Sequence, residues 1–491
     1  MREEQVIGKL VASGELVLDA PLLIGAGAGG RDEEDIHMLR DQQGIPLIPG
    51  TSLAGVLRDF LASEDAEACA LIFGTEQGAR KRGGLPEMQS AVSLQDVRLA
   101  DARDCIRDGV TIDTWTGTAA KHGKYNYEAI DAGAHGIFSL EITLRGIHER
   151  YEEKLKAAWQ RLENLLLTGF PLGAHTAKGF GRVHLEKMQV DMYDFHNRQD
   201  VLAWLRLGEG VTPGELPLWH GESSSHQLLE ADTGKPVYRA DDFVIEADFS
   251  LRSSLIVRDY DRDALAAEEK TLGGDAAGNG EKSLAAVMKR DSRGNFLLPG
   301  TSLKGALRHR AAHILRALGK SDALLDQMMG LSPARMQALG SHSGDRAFRS
   351  PFEVSEAHLC SGVKQSPQSR NRIDRFTGGT MDTALFTTLP IWQKETGKPV
   401  LHLRFGVRRA KAWQAGLALL LLKDLWLGRV ALGGEKAIGR GRLSGCAASI
   451  HYQGEVYELE AGQPLEKEQA ARLQAFVTAL VETEAEEGER V

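Results

Sequence analysis

Three sets of residues in this chain have types and spacings that could do chemistry. The first is acidic. Asp32, Glu33, Glu34 and Asp35 close the run GAGAGGRDEED, and Asp41 follows in MLRDQQGIPLIPG. A carboxylate in such a turn can take up a proton or hold a divalent metal. An exposed aspartate, with a reference pKa of roughly 3.9, is a poor general base at pH 7, so orientation or metal binding is the stronger of its active roles. Four adjacent acids also make an ordinary solvated turn. The second set lies in two glycine loops, 173–182 and 433–442, which place Lys178, Arg182, Lys436, Arg440 and Arg442 beside backbone free to approach a ligand. Cations with exposed backbone suit phosphate, although G-x-G also serves tight turns. The third set surrounds two Pro-Gly-Thr-Ser segments: Ser52 and Arg58, then Ser302, Lys304 and Arg308. Thr or Ser ahead of an apolar helical stripe reads as an N-cap, and a helix start with free N–H groups attracts anions.

These sets recur because half of the chain recurs. PLIPGTSLAGVLR from Pro46 is answered by FLLPGTSLKGALR from Phe296, with Pro49 and Pro299 separated by 250 residues (299 − 49). IDTWTGTA near 112 is answered by IDRFTGGT near 373, FSLEITLRG by PVLHLRFG, the helix at 152–168 by that at 411–428, and PLGAHTAKGFGRV by ALGGEKAIGRGRL. Leu53, Val56, Leu57, Phe60 and Leu61 set the helical period after the first Pro-Gly. Each half therefore reads as β-α-β-β-α-β with a long insertion and a glycine loop, predicting an α+β fold of two tandem ferredoxin-like domains. The expected limits are 1–194 and 239–464, with a turn-rich linker at 195–238 and an amphipathic helix with an acidic tail at 465–491. Trp115 and Phe376, after the paired Asp113 and Asp374, could stack on bases or anchor the insertions.

Composition sets the class. Of 491 residues, 42% are hydrophobic and 26% charged, as in globular proteins with sizeable cores. No apolar run approaches the ~18 residues of a membrane helix, so no membrane partner is expected. The first residues lack a secretory pattern, and four scattered cysteines form no metal or disulfide framework, which fits a reducing cytoplasm. A net charge of −9 argues against a non-specific nucleic-acid binder. Yet 289–316 carries Lys289, Arg290, Arg293, Lys304, Arg308, Arg310 and Arg316 against Asp291 alone, so a local basic face is open.

The set IPLIPGTSLAGVLRD, CALIFG, IDTWTG and a terminal GxGR loop resembles the RAMP superfamily of CRISPR-associated proteins, and more narrowly the backbone subunits of type III effector complexes. Two such modules in one chain resemble the tandem backbone proteins of III-D-like systems. The resemblance implies an RNA-recognition-like fold with thumb hairpins, lined up along a guide RNA (crRNA) and pushing into its duplex with target RNA. Its partners would be crRNA, target RNA and other effector subunits, both neighbouring RAMP backbone subunits and the large and small subunits. It implies a catalytic, metal-holding aspartate six residues before the acid preceding PGTS, which is Asp35 before Asp41, with Mg2+ or Mn2+ as cofactor. In the second half that position is Ala285, so either the half does not cut or Asp275 in the longer loop substitutes. Ser52, Arg58, Lys178, Arg182, Ser302, Lys304, Arg308, Arg375, Lys436, Arg440 and Arg442 become an RNA-backbone track. Residues 118–135 and about 352–372 become the thumbs, with Trp115 and Phe376 as base-contacting aromatics. The alternatives are a non-cutting RNA scaffold and a guide-processing endonuclease using His175, whose counterpart Glu435 argues against a shared catalytic role.

Overall fold

The computed structural model describes residues 3–25, 35–75, 88–112, 119–206, 226–229, 239–259, 262–271, 284–331, 350–359, 361–381 and 385–483. The chain divides into two compact units, with the division between Val237 and Tyr238.

The first unit begins with β1 (Val6–Leu18), β2 (Asp35–Ile36), β3 (Leu47–Ile48), α1 (Gly50–Glu64), α2 (Ala66–Phe73), β4 (Val92–Leu94) and β5 (Val97–Arg98). It continues with β6 (Asp104–Ile112), β7 (Ala119–Ile130), β8 (His135–Arg145), α3 (Glu152–Thr168), β9 (Phe170–Pro171), β10 (Arg182–Asp194), α4 (Arg198–Arg206) and β11 (His226–Leu229). The main sheet runs β11-β10-β1-β8-β4, with β9 also on β10. Within it, β10, β1, β8 and β4 are the fourth, first, third and second strands of a β-α-β-β-α-β unit, and all neighbours are antiparallel. Alternation explains the layers: Phe138, Leu140 and Ile142 of β8 share one core with Leu53, Leu57 and Leu61 of α1 and Ala158, Leu162 and Leu166 of α3. Outside this sandwich β6 and β7 form a long antiparallel hairpin, and β2 adds to β7 in parallel.

The second unit repeats the plan. Its elements are β12 (Phe243–Leu251), β13 (Arg258–Asp259), α5 (Arg262–Thr271), β14 (Leu284–Met288), β15 (Phe296–Leu298), α6 (Gly300–Ala317), α7 (Asp322–Met329), β16 (Phe352–Val354) and β17 (Ala357–Leu359). There follow β18 (Val363–Gln365), β19 (Gln368–Arg370), β20 (Phe386–Leu389), β21 (Ile391–Gln393), β22 (Leu401–Val407), α8 (Ala412–Trp426), β23 (Leu443–Tyr452), β24 (Glu455–Glu460) and α9 (Lys467–Glu482). The main sheet runs β15-β17-β22-β12-β23-β24, with β16 also on β22, again in the ferredoxin-like order. A second sheet, β13-β14-β20-β19, holds a hairpin, with β14 and β20 parallel as β2 and β7 are. Helix α8 is apolar almost all round because α9 covers it: a side chain on Gly416 would lie 2.1 Å from the Phe476 carbonyl oxygen.

Three expectations are corrected. The residue capping each Pro-Gly-Thr-Ser helix is proline, Pro49 or Pro299, and neither Thr nor Ser makes a capping hydrogen bond. The serines lie inside the first turn, with Ser52 and Ser302 N–H donating to the proline carbonyls. The segment near 352–372 does not protrude as one hairpin, because Phe352, Val354, Ala357 and Leu359 are buried in the main sheet. The second hairpin is instead β19–β20. Residues 195–238 hold α4 and β11, the latter extending the main sheet beside β10. Among the described residues no helix is long and apolar enough to cross a membrane.

Candidate nucleic-acid interface

The turn ahead of each Pro-Gly is built twice with the same atoms. Asp41 accepts the Gln43 and Ile45 N–H groups at 2.8 and 2.9 Å, and Asp291 accepts those of Arg293 and Asn295 at 2.9 and 2.8 Å. The Ile45 N–H is the main cause that holds the Asp41 carboxyl below the ordinary range. Arg40 donates to the Gly44 carbonyl at 3.1 Å and Arg290 to that of Gly294 at 2.6 Å. Even an unusual contact recurs: the Ile24 N–H meets Met38 Sδ at 3.3 Å, and the Val257 N–H meets Met288 Sδ at 3.1 Å. The acids downstream of the candidate catalytic positions are therefore turn formers.

Six residues upstream, the Asp35 backbone pairs with Asn126 of the hairpin strand β7. Next to it, Glu128 of β7 accepts from Arg40 and lies 3.0 Å from His37 Nδ1, while Arg40 also donates to Asp104. Burial pushes the Glu128 carboxyl up, but its bonds to Arg40 and His37 outweigh this and hold it below the usual range. In the second unit Ala285 is an exposed strand residue of β14. Asp275 and Trp115 lie outside the described residues. The described residues contain no group of three or more His, Cys, Asp or Glu able to hold a metal. Glu128 and Asp104, the described carboxylates of this hairpin's lower half, are engaged with Arg40 and His37.

The glycine loops serve their own packing first. A Cβ on Gly181 would lie 1.8 Å from the Leu172 carbonyl oxygen, and one on Gly441 1.9 Å from that of Leu432. The 3-10 turns Thr176–Lys178 and Lys436–Ile438 carry the two lysines, and Lys436 is exposed. The arginines that close the loops each reach a helix end: half-buried Arg182 donates to the Thr168 carbonyl at 2.8 Å, and Arg442, itself exposed, donates to the Gly428 carbonyl at 3.1 Å. Each satisfies a carbonyl at the C-terminal end of α3 or α8, where cations are favoured. Arg308 is likewise held by the Gly330 carbonyl and Asp326. Lys304 is 9% exposed and donates to Ser350 Oγ and the Phe352 carbonyl. Burial lowers its pKa to about 7. Arg440 is buried on Glu435, Ser254 and Gln368. Lys304, Arg308 and Arg440, expected on an open track, have their polar groups bound inside the protein, whereas Arg182 is half-buried and Arg442 stays exposed. Ser52 and Ser302 are half-buried at the helix starts, and Arg58, in the middle of α1, and Lys178 are half-buried as well.

The second hairpin presents its aromatic to solvent. Asp374 accepts the Phe376 and Thr377 N–H groups at 2.8 and 2.9 Å, and the Asp374 N–H donates to the Gly379 carbonyl. The Thr377 and Phe376 N–H groups hold the Asp374 carboxyl below its ordinary value. This tight tip leaves Phe376 99% exposed, between Ile373, Met381, Leu385 and Phe386, all exposed as well. Arg372 and Arg375 are exposed beside it. Water would drive such a ring inward in a free-standing fold, and the tip is too short to bury it. His175 packs against Tyr127 and Phe180, with ring centroids 5.1 and 6.1 Å away. Sequence reasoning did not single out Arg40, Glu128, Tyr127, Arg258 or Arg370. The recurrence of Arg40 as Arg290 was the one signal available.

A family model described as the RAMP superfamily matches residues 15–184 and 253–444. No curated protein matches the chain. Among solved structures, a chain of "Type III-B Cmr-beta Cryo-EM structure of the Apo state" is similar, with a TM-score of 0.29 and 12% identity, over 36% of this chain and 96% of that one. With both of its modules matched over most of their length, this chain belongs to the RAMP superfamily.

Proposed function

We propose that the protein is a tandem backbone subunit of a type III, III-D-like CRISPR effector in the cytoplasm, holding crRNA along both modules and engaging target RNA. It acts with neighbouring backbone subunits and with the large and small subunits. The observation that carries this reading is Phe376, fully exposed at a tight hairpin tip with Arg372 and Arg375 beside it. An exposed ring stacks on any base, and flanking guanidiniums meet phosphate, so the contact is indifferent to sequence, as a carrier of variable guides requires. Lys436, Arg442 and Arg375 supply exposed cations of the track, with Ser52 and Ser302 at the helix starts, Arg58 in the middle of α1 and Lys178 in the glycine loop.

Endonucleolytic cleavage of target RNA is assigned to the first unit through Asp35. Its backbone pairs with Asn126 of β7, midway along that unit's hairpin. There a carboxylate can align a ribose 2′-hydroxyl with its phosphate. Mg2+ or Mn2+ held by Asp35 would supply charge stabilisation of the reacting phosphate there. Ala285 in the second unit favours a single cutting module. The packing of His175 among aromatic rings supports a structural role for it rather than guide processing.

The test is purification of the chain with its host RNA, sequencing of that RNA, and mapping of target cuts with and without chelator. Asp35→Ala should retain RNA and lose one class of cuts, and Asp275→Ala should cut as the parent does. A chain that purifies without RNA removes the assignment. Unchanged cuts in Asp35→Ala leave the scaffold reading.

A further inference from the structure

At the foot of the second hairpin one buried carboxylate holds three arginines. The Glu435 side chain is 4% exposed, and it accepts from Arg440 Nε at 2.7 Å, from Arg258 Nη2 at 3.0 Å and from Arg370. These donors come from different places. Arg440 belongs to the same glycine loop, Arg258 to β13 and Arg370 to the hairpin strand β19. Arg440, itself 3% exposed, reaches on to Gln368 of that strand and to Ser254 at 2.8 Å. Arg370 continues to Thr388 Oγ1 at 3.4 Å and lies 5.4 Å over the Phe386 ring, so both hairpin strands are tied in.

Backbone geometry shows that this side chain is kept at a cost. Glu435 has φ of 56°, a left-handed conformation that glycine adopts without strain. His175, its counterpart, has φ of 59°. Two glycines precede Glu435 in the second loop, yet this position is not one of them. The same two loop positions do the same work by different chemistry in the first unit. His175 and Phe180 pack on Tyr127 of β7, where Glu435 and Arg440 hold Arg370 and Gln368 of β19. In each unit the glycine loop is clasped to a hairpin strand, by rings in the first and by ions in the second.

We propose that Glu435 is a positioning residue for the base-contacting hairpin: through Arg370 and Arg440 it fixes the β19–β20 strands on the glycine loop and so aims Phe376. The proposal rests on the reading of that hairpin as an RNA contact. The physical reason is that buried ion pairs are directional and fail steeply when one partner is lost, so the clasp has one register. A loop that only needed a phosphate site would gain from removing this carboxylate, because an acid beside three guanidiniums opposes anion binding.

That opposition makes the test decisive. Glu435→Gln is compared with the parent and with Phe376→Ala by thermal melting, by amide exchange at Gln368–Arg370 and Phe386–Leu389, and with an RNA oligonucleotide carrying 2-aminopurine. The expected result is exchange at the hairpin faster by about tenfold or more. The base-stacking signal should fall to that of Phe376→Ala, while affinity by anisotropy falls no further than it does in Phe376→Ala. Unchanged exchange with an unchanged stacking signal overturns the proposal. Affinity falling well below that of Phe376→Ala also overturns it, since that marks a merely structural residue. Should Glu435→Gln fail to fold, Arg370→Met cuts only the hairpin side of the clasp and must give the same accelerated exchange. If the parent binds no RNA, the functional reading fails, and the exchange result alone decides whether Glu435 sets the hairpin.

Discussion

Phe376 is where a single side chain has the clearest consequence. Its ring touches little of the protein, so Phe376→Ala should leave the melting temperature unchanged while weakening RNA binding by about 1–3 kcal/mol, measured by anisotropy. Lys304 gives the opposite case, a cation placed on a track by its sequence and buried by the fold. Its folded pKa of about 7 lies below that of an unfolded lysine, roughly 10.4. Between those values the unfolded chain binds more protons, so stability rises with pH from about 7 to about 10. Below about 7 both states are charged and the burial penalty is fully present. Lys304→Met should flatten that slope, on the order of a few kcal/mol at most, in denaturant titrations across the range. Glu435 titrates in the other sense. Burial pushes its carboxyl up, but Arg370 and the other two arginines outweigh this and depress it. Its contribution is therefore present above the unfolded value of roughly 4.3 and lost as pH falls below it.

Among the elements, the helices were legible and their partners were not. The period of Leu53, Leu57 and Leu61 predicts α1 and its buried face, but the cap was misread because Thr51 and Ser52 are good cappers in isolation. Pro49 holds extended backbone before the helix, and Asp96, distant in sequence, accepts the Gly50 N–H at 2.8 Å. The all-round apolar pattern of α8 became intelligible only with α9 across it. Gly416→Ala should destabilise the second unit by about 1–3 kcal/mol, although alanine favours an isolated helix by roughly 1 kcal/mol, because the added methyl meets the Phe476 backbone. Chemical denaturation checks the sign. A gain in stability would mean that α9 can move away freely.

For the whole molecule, duplication produced two cores that the sequence already separates. Leu162→Ala and Leu421→Ala each open a cavity in one core and should each cost about 2–5 kcal/mol. Each should shift mainly its own unit's transition in calorimetry. RNA binding should weaken with salt despite the net charge of −9, since local cations and not total charge meet phosphate. The chain by itself determined the repeat, the α+β class and the paired turns, because period, glycine and proline act over a few residues. Tertiary structure decided which charges are spent inside. Arg308 closes a helix end, Arg440 is consumed by Glu435, and Arg442 and Phe376 are left in water. Those outcomes depend on what lies opposite each side chain, and spacing along a chain does not encode that.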